Sequence, residues 1–286
     1  MGKIIDFHTH IFSPGLKKDR TEYLSDPLFD HLYASPKAKV ATAEELISSM
    51  DRHGVDVSVA LNIGWTSHAL CVETNNYILE AVSRYPRRLV GFCSIQPLAG
   101  EAALAEMERC ARAGARGIGE LRSDAQGFRL GDKGLWQPFV EMMRKYNLLL
   151  LTHASEPVGH IYPGKGIITP GVLQQFLANF PDLCVICAHW GGGLPFYALM
   201  PEVGALLSNT FFDTAASPFL YRPQIYRQVA EIIGPDKILF GSDYPLLTQG
   251  RLIREIESTG LPPGAKAKIL GENAERLLGW KQSAAS

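Results

Sequence analysis

Short apolar segments alternate with amphipathic segments along the whole chain, and this alternation limits the folds that the chain can adopt. Apolar runs typical of buried strands lie near residues 3–8, 57–61, 89–93, 115–119, 148–152, 183–188, 209–213 and 237–240. Helical patterns lie near residues 43–53, 72–84, 101–113, 134–146, 170–179, 195–207, 223–233 and 249–258. Eight strand–helix units in 286 residues predict an α/β fold, a single (β/α)8 TIM barrel over residues 1–286.

A doubly wound open sheet is the alternative architecture for such an alternation. Neither G-x-G-x-x-G nor G-x-x-x-x-G-K follows the first strand, which argues against this alternative. The first strand is followed instead by residues 11–41, which are rich in Pro, Ser, Lys and Asp. We expect these residues to form a long irregular insertion that serves as a lid or an interface. The chain is expected to end in a closing helix from Lys266 to Trp280 and a frayed tail.

The composition is that of a globular protein without a strong charge. Hydrophobic residues make up 46% of the chain and charged residues 20%, which is enough apolar material for a large core. A formal net charge of -1 gives no general attraction to nucleic acid or to an anionic membrane, so we expect a small-molecule substrate. The chain contains no apolar stretch of about 18 residues, so we expect no transmembrane helix. The first predicted strand begins too early to leave room for a signal peptide, so none is expected. The five cysteines are an odd number, which argues against a disulfide framework and favours a reducing, cytoplasmic location.

Two histidines, His8 and His10, follow the first apolar run. Side chains on a strand alternate between faces, so these two imidazoles project from the same face. A pair of imidazoles at the end of a buried strand is half of a metal site.

Further polar residues stand at the ends of later predicted strands. They are Glu120, His153, His189, Asp213 and Asp243. The carboxyl ends of barrel strands meet at one face, where barrel enzymes place their active sites. A single histidine after a strand is more often structural, but a coincidence at several strand ends favours a shared metal site. We therefore predict His8, His10, His153 and Asp243 as metal ligands, Glu120 as either a ligand or a structural carboxylate, and Asp213 as a supporting residue.

These positions resemble the amidohydrolase superfamily, and in particular the amidohydrolase-related branch that includes aminocarboxymuconate-semialdehyde decarboxylase. The matching segments are Asp6-Phe7-His8-Thr9-His10, His153, Ala188-His189-Trp190-Gly191-Gly192, Gly241-Ser242-Asp243-Tyr244-Pro245 and the closing segment 269–279. The resemblance implies that His8, His10, His153 and Asp243 hold a divalent metal, most often zinc. It also implies that His189 polarises the substrate or, if Glu120 bridges, binds a second metal. One or two ions are therefore expected, and the mixed nitrogen and oxygen ligands would also suit Mn, Fe or Co.

Glu120 favours hydrolysis over other reactions of this branch, because binuclear hydrolytic members carry a ligand on the fourth strand. We therefore expect a metal-dependent hydrolase of a small substrate bearing a carboxylate, such as a lactone, amide or ester. Asp243 would take a proton from a metal-activated water as general base and return it as acid, and His189 would stabilise the developing charge. A non-hydrolytic lyase, a decarboxylase or hydratase, is the alternative. A barrel with a purely structural metal is a third reading.

Basic and aromatic residues near the predicted mouth of the barrel are candidates for substrate binding. Arg122 lies two residues beyond Glu120, and His160, Tyr162 and Lys165 lie in the loop after the fifth strand. Each suits an acidic substrate, although loop salt bridges or solvated charges explain Arg122 and Lys165 equally well. The run Gly191–Gly193 could bring backbone amides to an anion or form a tight turn. The insertion and the apolar loops around Trp65 and Phe219 are compatible with a homodimer.

Overall fold

Eight parallel strands form the centre of the molecule, and each is hydrogen-bonded to the next strand in the chain. The structure is a computed structural model that describes residues 2–279. The strands are β1 (Ile5–His10), β2 (Val57–Leu61), β3 (Leu89–Cys93), β4 (Gly117–Leu121), β5 (Leu149–Thr152), β6 (Val185–Cys187), β7 (Thr210–Asp213) and β8 (Ile238–Leu239). The predicted (β/α)8 barrel is therefore confirmed, and the predicted strands correspond one to one with those observed.

Backbone contacts between β1 and the segment after β8 close the barrel. The amide of Phe7 donates to the carbonyl of Phe240 at 2.7 Å, and that of His10 donates to the carbonyl of Tyr244 at 2.7 Å. The amide of Asp243 donates to the carbonyl of His8 at 2.9 Å. This closure brings Asp243 next to the His8 and His10 pair, more than 230 residues away in the sequence.

Helices surround the barrel and connect its strands. Apart from the kinked four-residue segment Ala188–Gly191, the α-helices outside the insertion are Ala43–His53, His68–Arg84, Glu101–Arg112, Lys133–Tyr146, Pro170–Asn179, Pro201–Leu206, Ser217–Leu220, Gln224–Ile233, Gln249–Ser258, Pro263–Ala267 and Asn273–Leu278. Shorter 3-10 turns are Pro97–Ala99, Leu194–Leu199 and Pro235–Lys237, and Lys268–Glu272 is a π-helical turn. The predicted helix 195–207 is divided because Pro201 lacks an amide proton and begins a new helix.

Apolar side chains fill the interior of the barrel. One cluster draws buried residues from six of the strands, among them Phe7, Val59, Phe92, Leu151 and Leu239. Phe7 and Phe92 pack edge to face with ring centroids 5.8 Å apart. Gly117 makes room for the second ring, since a Cβ atom there would lie 2.4 Å from Phe92. The packed interior leaves the carboxyl ends of the strands as the place for a site.

The insertion, residues 11–41, is more regular than expected. It contains the helices Pro14–Lys18 and Pro27–Tyr33 and the 3-10 turn Thr21–Ser25. Buried Asp26 caps the second helix by accepting from two of its amides, and it also accepts from the Thr66 amide and hydroxyl at 2.8 and 2.7 Å. The insertion is therefore anchored to the loop after β2 and forms a fixed wall at the mouth of the barrel.

The remaining expectations about the chain concern its cysteines, membrane-spanning segments and carboxyl end. All five cysteines are free thiols. No helix within residues 2–279 combines the length and the apolar character needed to cross a membrane. Trp280 and the predicted frayed tail lie outside the described residues, and the closing segment before them is divided into the three helical pieces given above.

Candidate metal centre

Five strands and their following loops bring the predicted ligand residues to one end of the barrel. β1 carries His8 and His10, and β4 carries Glu120, while His153, His189 and Asp243 lie in the segments after β5, β6 and β8. All six are buried or nearly so, and the separate predictions for them converge on one cluster.

Asp213, at the end of β7, orients the His8 ring. The Nδ1 atom of His8 lies 2.8 Å from Asp213 Oδ2, so the ring donates from Nδ1 to the carboxylate and only Nε2 faces the cluster. His8 Nε2 lies only 3.1 Å from His10 Nε2, so both nitrogens face the same point in space. Asp213 also accepts from the backbone amides of His189 and Ala215 at 2.9 and 3.0 Å. Asp213 thus contacts His8 and the His189 backbone, and its supporting role stays a prediction.

Asp243 completes one group of donor atoms that could hold a cation. Its Oδ1 atom lies 3.5 Å from His10 Nε2 and 3.9 Å from His8 Nε2. Donor atoms of His8, His10 and Asp243 all lie within 4.8 Å of one another. Two imidazoles and a carboxylate are ligands that divalent transition metals accept.

Glu120 lies at the centre of a second group. Its Oε1 atom accepts from His153 Nδ1 at 2.8 Å and faces His189 Nε2 at 3.4 Å, while Oε2 lies 3.8 Å from His8 Nε2. His8, Glu120 and His189 could also hold a cation. His153 belongs to neither group, and its Nε2 atom lies 3.1 Å from Ser155 Oγ. Its predicted role as a ligand stays a prediction.

Both groups depend on the same atom of His8. Because Nδ1 is bonded to Asp213, only Nε2 can bind a cation, and Nε2 has one lone pair. The two groups therefore describe overlapping positions around one centre.

The charges of the cluster suit a cation. Burial alone would lower the pKa of His8, but the Asp213 carboxylate, together with Glu120 and Asp243, raises it to about 10. Burial would raise the pKa of Asp243, yet the hydrogen bond with His10 and the charges of His8 and His189 hold it at about 2. Buried ionised carboxylates that raise a histidine pKa in this way place a negative potential where the imidazole nitrogens converge. The residues present therefore fit a divalent metal.

His189 stands out because both of its ring nitrogens face acceptors. Nδ1 lies 3.2 Å from the carbonyl of Ala215, and Nε2 faces Glu120. Burial would lower the pKa of His189, but Glu120 raises it to about 9. In contrast, burial and the nearby Arg122 charge lower the pKa of His153 to about 4. The two acceptors around His189 therefore favour its protonated ring, whereas the surroundings of His153 favour the neutral one.

The glycine run after His189 forms a tight left-handed turn. His189 and Trp190 have φ angles of 54° and 58°, and Gly191, Gly192 and Gly193 continue with positive φ. The amides of Gly192 and Gly193 donate within the turn, at 3.2 and 3.0 Å. A Cβ atom on Gly192 would lie 2.3 Å from the carbonyl oxygen of Ser155. Of the two readings left open above, the structure favours the tight turn, which positions His189.

Asp6 is a buried residue that the sequence reasoning missed. It accepts from Ser242 Oγ at 2.6 Å and from the Ser242 amide at 2.9 Å, so it holds the backbone beside Asp243. Burial, which outweighs these hydrogen bonds, raises the pKa of Asp6 to about 7. The signal that could have found it is its place in the strand repeat, since Asp6 shares a face with His8 and His10.

A cavity of about 400 Å³ opens onto the cluster. Arg122, His160 and Tyr162, three of the predicted substrate-binding residues, line it. Arg122 also forms the loop salt bridge considered above: it lies 3.2 Å from Asp124 and donates to the carbonyl of Gly164 at 2.9 Å.

Lys165 is placed differently from the prediction. Its ammonium group donates to the carbonyls of Val158 and His160 at 2.6 and 3.0 Å, and it is not among the residues lining the cavity. Both carbonyls belong to its own loop, so Lys165 stabilises the loop.

Comparison with known proteins gives the family. A family model described as Amidohydrolase matches residues 5–280. The chain is 25% identical to 2-amino-3-carboxymuconate-6-semialdehyde decarboxylase from Dictyostelium discoideum over 96% of this chain and 91% of that protein. It resembles the crystal structure of 5-carboxyvanillate decarboxylase from Sphingomonas paucimobilis with a TM-score of 0.79 and 18% identity, over 98% of this chain and all of that one (100%). It also resembles dihydroxybenzoic acid decarboxylase from Polaromonas sp., solved with manganese and the inhibitor 2-nitroresorcinol, with a TM-score of 0.72 and 20% identity over 98% and 97% of the two chains.

The expectation of hydrolysis is wrong. It depended on Glu120 alone, and these relatives are named as decarboxylases. The proposed role of Asp243 in deprotonating a water for hydrolysis is withdrawn with it. The family resemblance is confirmed, since the family model covers nearly the whole chain. This chain is an enzyme of the amidohydrolase family.

Proposed function

We propose that this protein is a metal-dependent decarboxylase, a carbon–carbon lyase, of a small aromatic or muconate-type carboxylic acid. The observation that carries the proposal is the meeting, at one cavity, of a cation-suited cluster and a histidine, His189, whose two ring nitrogens both face acceptors. The names of the relatives support the reaction type.

His8, His10 and Asp243 would hold a single divalent ion, because the two possible groups share the Nε2 atom of His8. When bound, such an ion supplies an electrophile that holds a substrate oxygen and stabilises negative charge on it. Manganese is the metal we propose first, because the dihydroxybenzoic acid decarboxylase contains it. Zinc suits the same nitrogen and oxygen donors, so the ligand set alone does not choose between them.

Decarboxylation converts R–COO⁻ and a proton into R–H and carbon dioxide. The carbon–carbon bond breaks, its electron pair stays on the substrate carbon, and that carbon then takes a proton. His189 is the proposed donor, since it carries a proton next to Glu120 and lines the cavity. Burial would raise the pKa of Asp243, but the hydrogen bond with His10 and the charges of the surrounding histidines lower it, which favours the ionised carboxylate.

The apolar walls of the cavity favour conversion of the substrate carboxylate into uncharged carbon dioxide. Apolar side chains line much of it, among them Ile63, Phe219, Leu220 and Leu246. A carboxylate placed against such a wall loses hydrating water and is destabilised, whereas uncharged carbon dioxide is not. Arg122, His160 and Tyr162 face the same cavity, and we propose that they orient the polar groups of the substrate.

The test is carbon dioxide release by the manganese-loaded protein from three acids: 2-amino-3-carboxymuconate-6-semialdehyde, 5-carboxyvanillate and 2,6-dihydroxybenzoate. We expect carbon dioxide from at least one of them, with one deuterium incorporated into the product when the reaction runs in D2O. The variant His53→Asn, which changes a histidine on an outer helix, serves as the matched control. Absence of carbon dioxide from all three acids, with metal bound, would argue against the proposal.

A further inference from the structure

Tyr33 is the polar side chain that the last turn of the Pro27–Tyr33 helix brings to the cavity. It lines the same space as Glu120, His189 and Asp243. No feature of the sequence marked it, because nothing in the local pattern of the insertion shows which residue faces the barrel.

The ring of Tyr33 is held firmly in place. Its centroid lies 4.9 Å from that of Phe29 and 5.2 Å from that of Phe12, and both phenylalanines are buried. Arg20 Nη1 donates to the carbonyl of Tyr33 at 3.0 Å and to those of Ser35 and Ala38 at 3.3 and 3.2 Å. A side chain supported in this way loses little conformational entropy when it binds a ligand.

The hydroxyl group of Tyr33 has no hydrogen-bond partner among residues 2–279. Other tyrosines near the mouth are paired: Tyr23 donates to Glu73, and Tyr162 donates to Glu156 at 2.9 Å. Burial, together with the negative charges of Asp243 and Glu120, raises the pKa of Tyr33 far above its ordinary value. The group is therefore a neutral donor on a residue that lines the same cavity as Asp243 and Glu120.

An unpaired hydrogen-bond donor in this cavity can bind an oxygen of an anionic substrate. Asp243 and Glu120 repel the electron-rich oxygens of such a molecule, and a fixed phenolic donor in the same cavity attracts one of those oxygens. A site that hydrogen-bonds a substrate oxygen discriminates against analogues that lack it, since the donor is then left unsatisfied.

We propose that Tyr33 is a specificity-determining residue whose hydroxyl group donates a hydrogen bond to an oxygen substituent on the bound ring or chain of the substrate. The proposal rests on the proposed decarboxylase function and adds the residue that selects oxygen-substituted acids. The oxygen in question is one that the metal does not hold.

Binding of a matched pair of inert probes tests this role without turnover. The probes are 2-nitroresorcinol and 2-nitrophenol, which differ by one hydroxyl group, and calorimetry would measure their binding to the manganese-loaded protein. We expect the wild type to prefer 2-nitroresorcinol by about 10-fold, which is the strength of one hydrogen bond. Tyr33→Phe should bind the two probes equally, with unchanged manganese content and melting temperature.

Tyr23→Phe is the matched control, because Tyr23 belongs to the same insertion but its hydroxyl group is bonded to Glu73. It should keep the preference of the wild type. A Tyr33→Phe variant that keeps the preference, or a wild type without one, would overturn the role of Tyr33. Carbon dioxide release by that wild type would leave the proposed function intact, whereas its absence from all three acids would remove both proposals.

Discussion

Asp213 accepts a hydrogen bond from His8 Nδ1 at 2.8 Å, and this contact leaves Nε2 as the only ring nitrogen of His8 that can bind a cation. The two residues are 205 positions apart in the chain and come from β1 and β7. The same carboxylate accepts from the amide of His189, so one buried residue orients both a proposed metal ligand and the proposed proton donor.

Replacement of Asp213 by Asn should therefore weaken metal binding. The amide cannot stabilise the ring as a carboxylate does, and loss of such a supporting contact costs about 10- to 100-fold in metal affinity. Competition with a chelator would measure the affinity of manganese, and circular dichroism would verify the fold. The control is Asp182→Asn, which changes a surface carboxylate paired with Arg144. Equal affinities for the wild type and Asp213→Asn would contradict this role.

Metal content per chain should be one ion in the wild type. Glu120→Gln should still bind one ion, because His8, His10 and Asp243 form a group without Glu120. The double variant His8→Ala, His10→Ala should bind none at the same concentration. Elemental analysis of dialysed protein decides the question, and two ions in the wild type, falling to one in Glu120→Gln, would restore a binuclear centre.

His189→Asn should lose at least about 100-fold in turnover, the usual contribution of a positioned general acid. Metal content should remain near one ion, since His8, His10 and Asp243 are unchanged. Single-turnover measurement of carbon dioxide release separates this effect from weaker binding. Turnover within a few-fold of the wild type would show that a group other than His189 donates the proton to the substrate carbon.

Glu106 offers a test of stability far from the metal centre. Its buried carboxylate accepts from Arg109 Nε and Nη2 at 2.7 Å each and from Asn75 at 2.8 Å. Glu106→Gln should lower the free energy of unfolding by about 1–3 kcal/mol, as measured by urea denaturation at pH 7. Glu108→Gln, in an exposed ion-pair cluster, should change it by less than about 1 kcal/mol.

The effect of Glu106 should also depend on pH. Burial would raise the pKa of Glu106, but Arg109 and Asn75 hold it below its ordinary value. A carboxylate with a lowered pKa in the folded protein stabilises above the pKa of the unfolded chain, about 4.3, and loses this effect as the pH falls further. The difference between the wild type and Glu106→Gln should therefore shrink below about pH 4. A difference that stays constant from pH 7 to pH 3 would contradict the account.

Local periodicity was enough to predict the barrel and the position of its site. Strand–helix alternation repeats over short windows, and the face shared by His8 and His10 follows from the geometry of one strand. The convergence of Glu120, His189 and Asp243 followed from a general rule for the ends of parallel strands. Neither inference needed a contact between distant residues.

Only the tertiary structure decided which of these groups touch, because side-chain partners depend on packing between segments far apart in the chain. It placed Glu120 between His153 and His189, directed Lys165 to the carbonyls of its own loop, and brought Tyr33 of the insertion to the cavity. The choice of decarboxylation over hydrolysis came from relatives, since the same donor residues serve both reactions. The His8 and His10 pair was evident from the sequence, but Asp213 across the barrel decided which nitrogen of His8 is left to bind a cation.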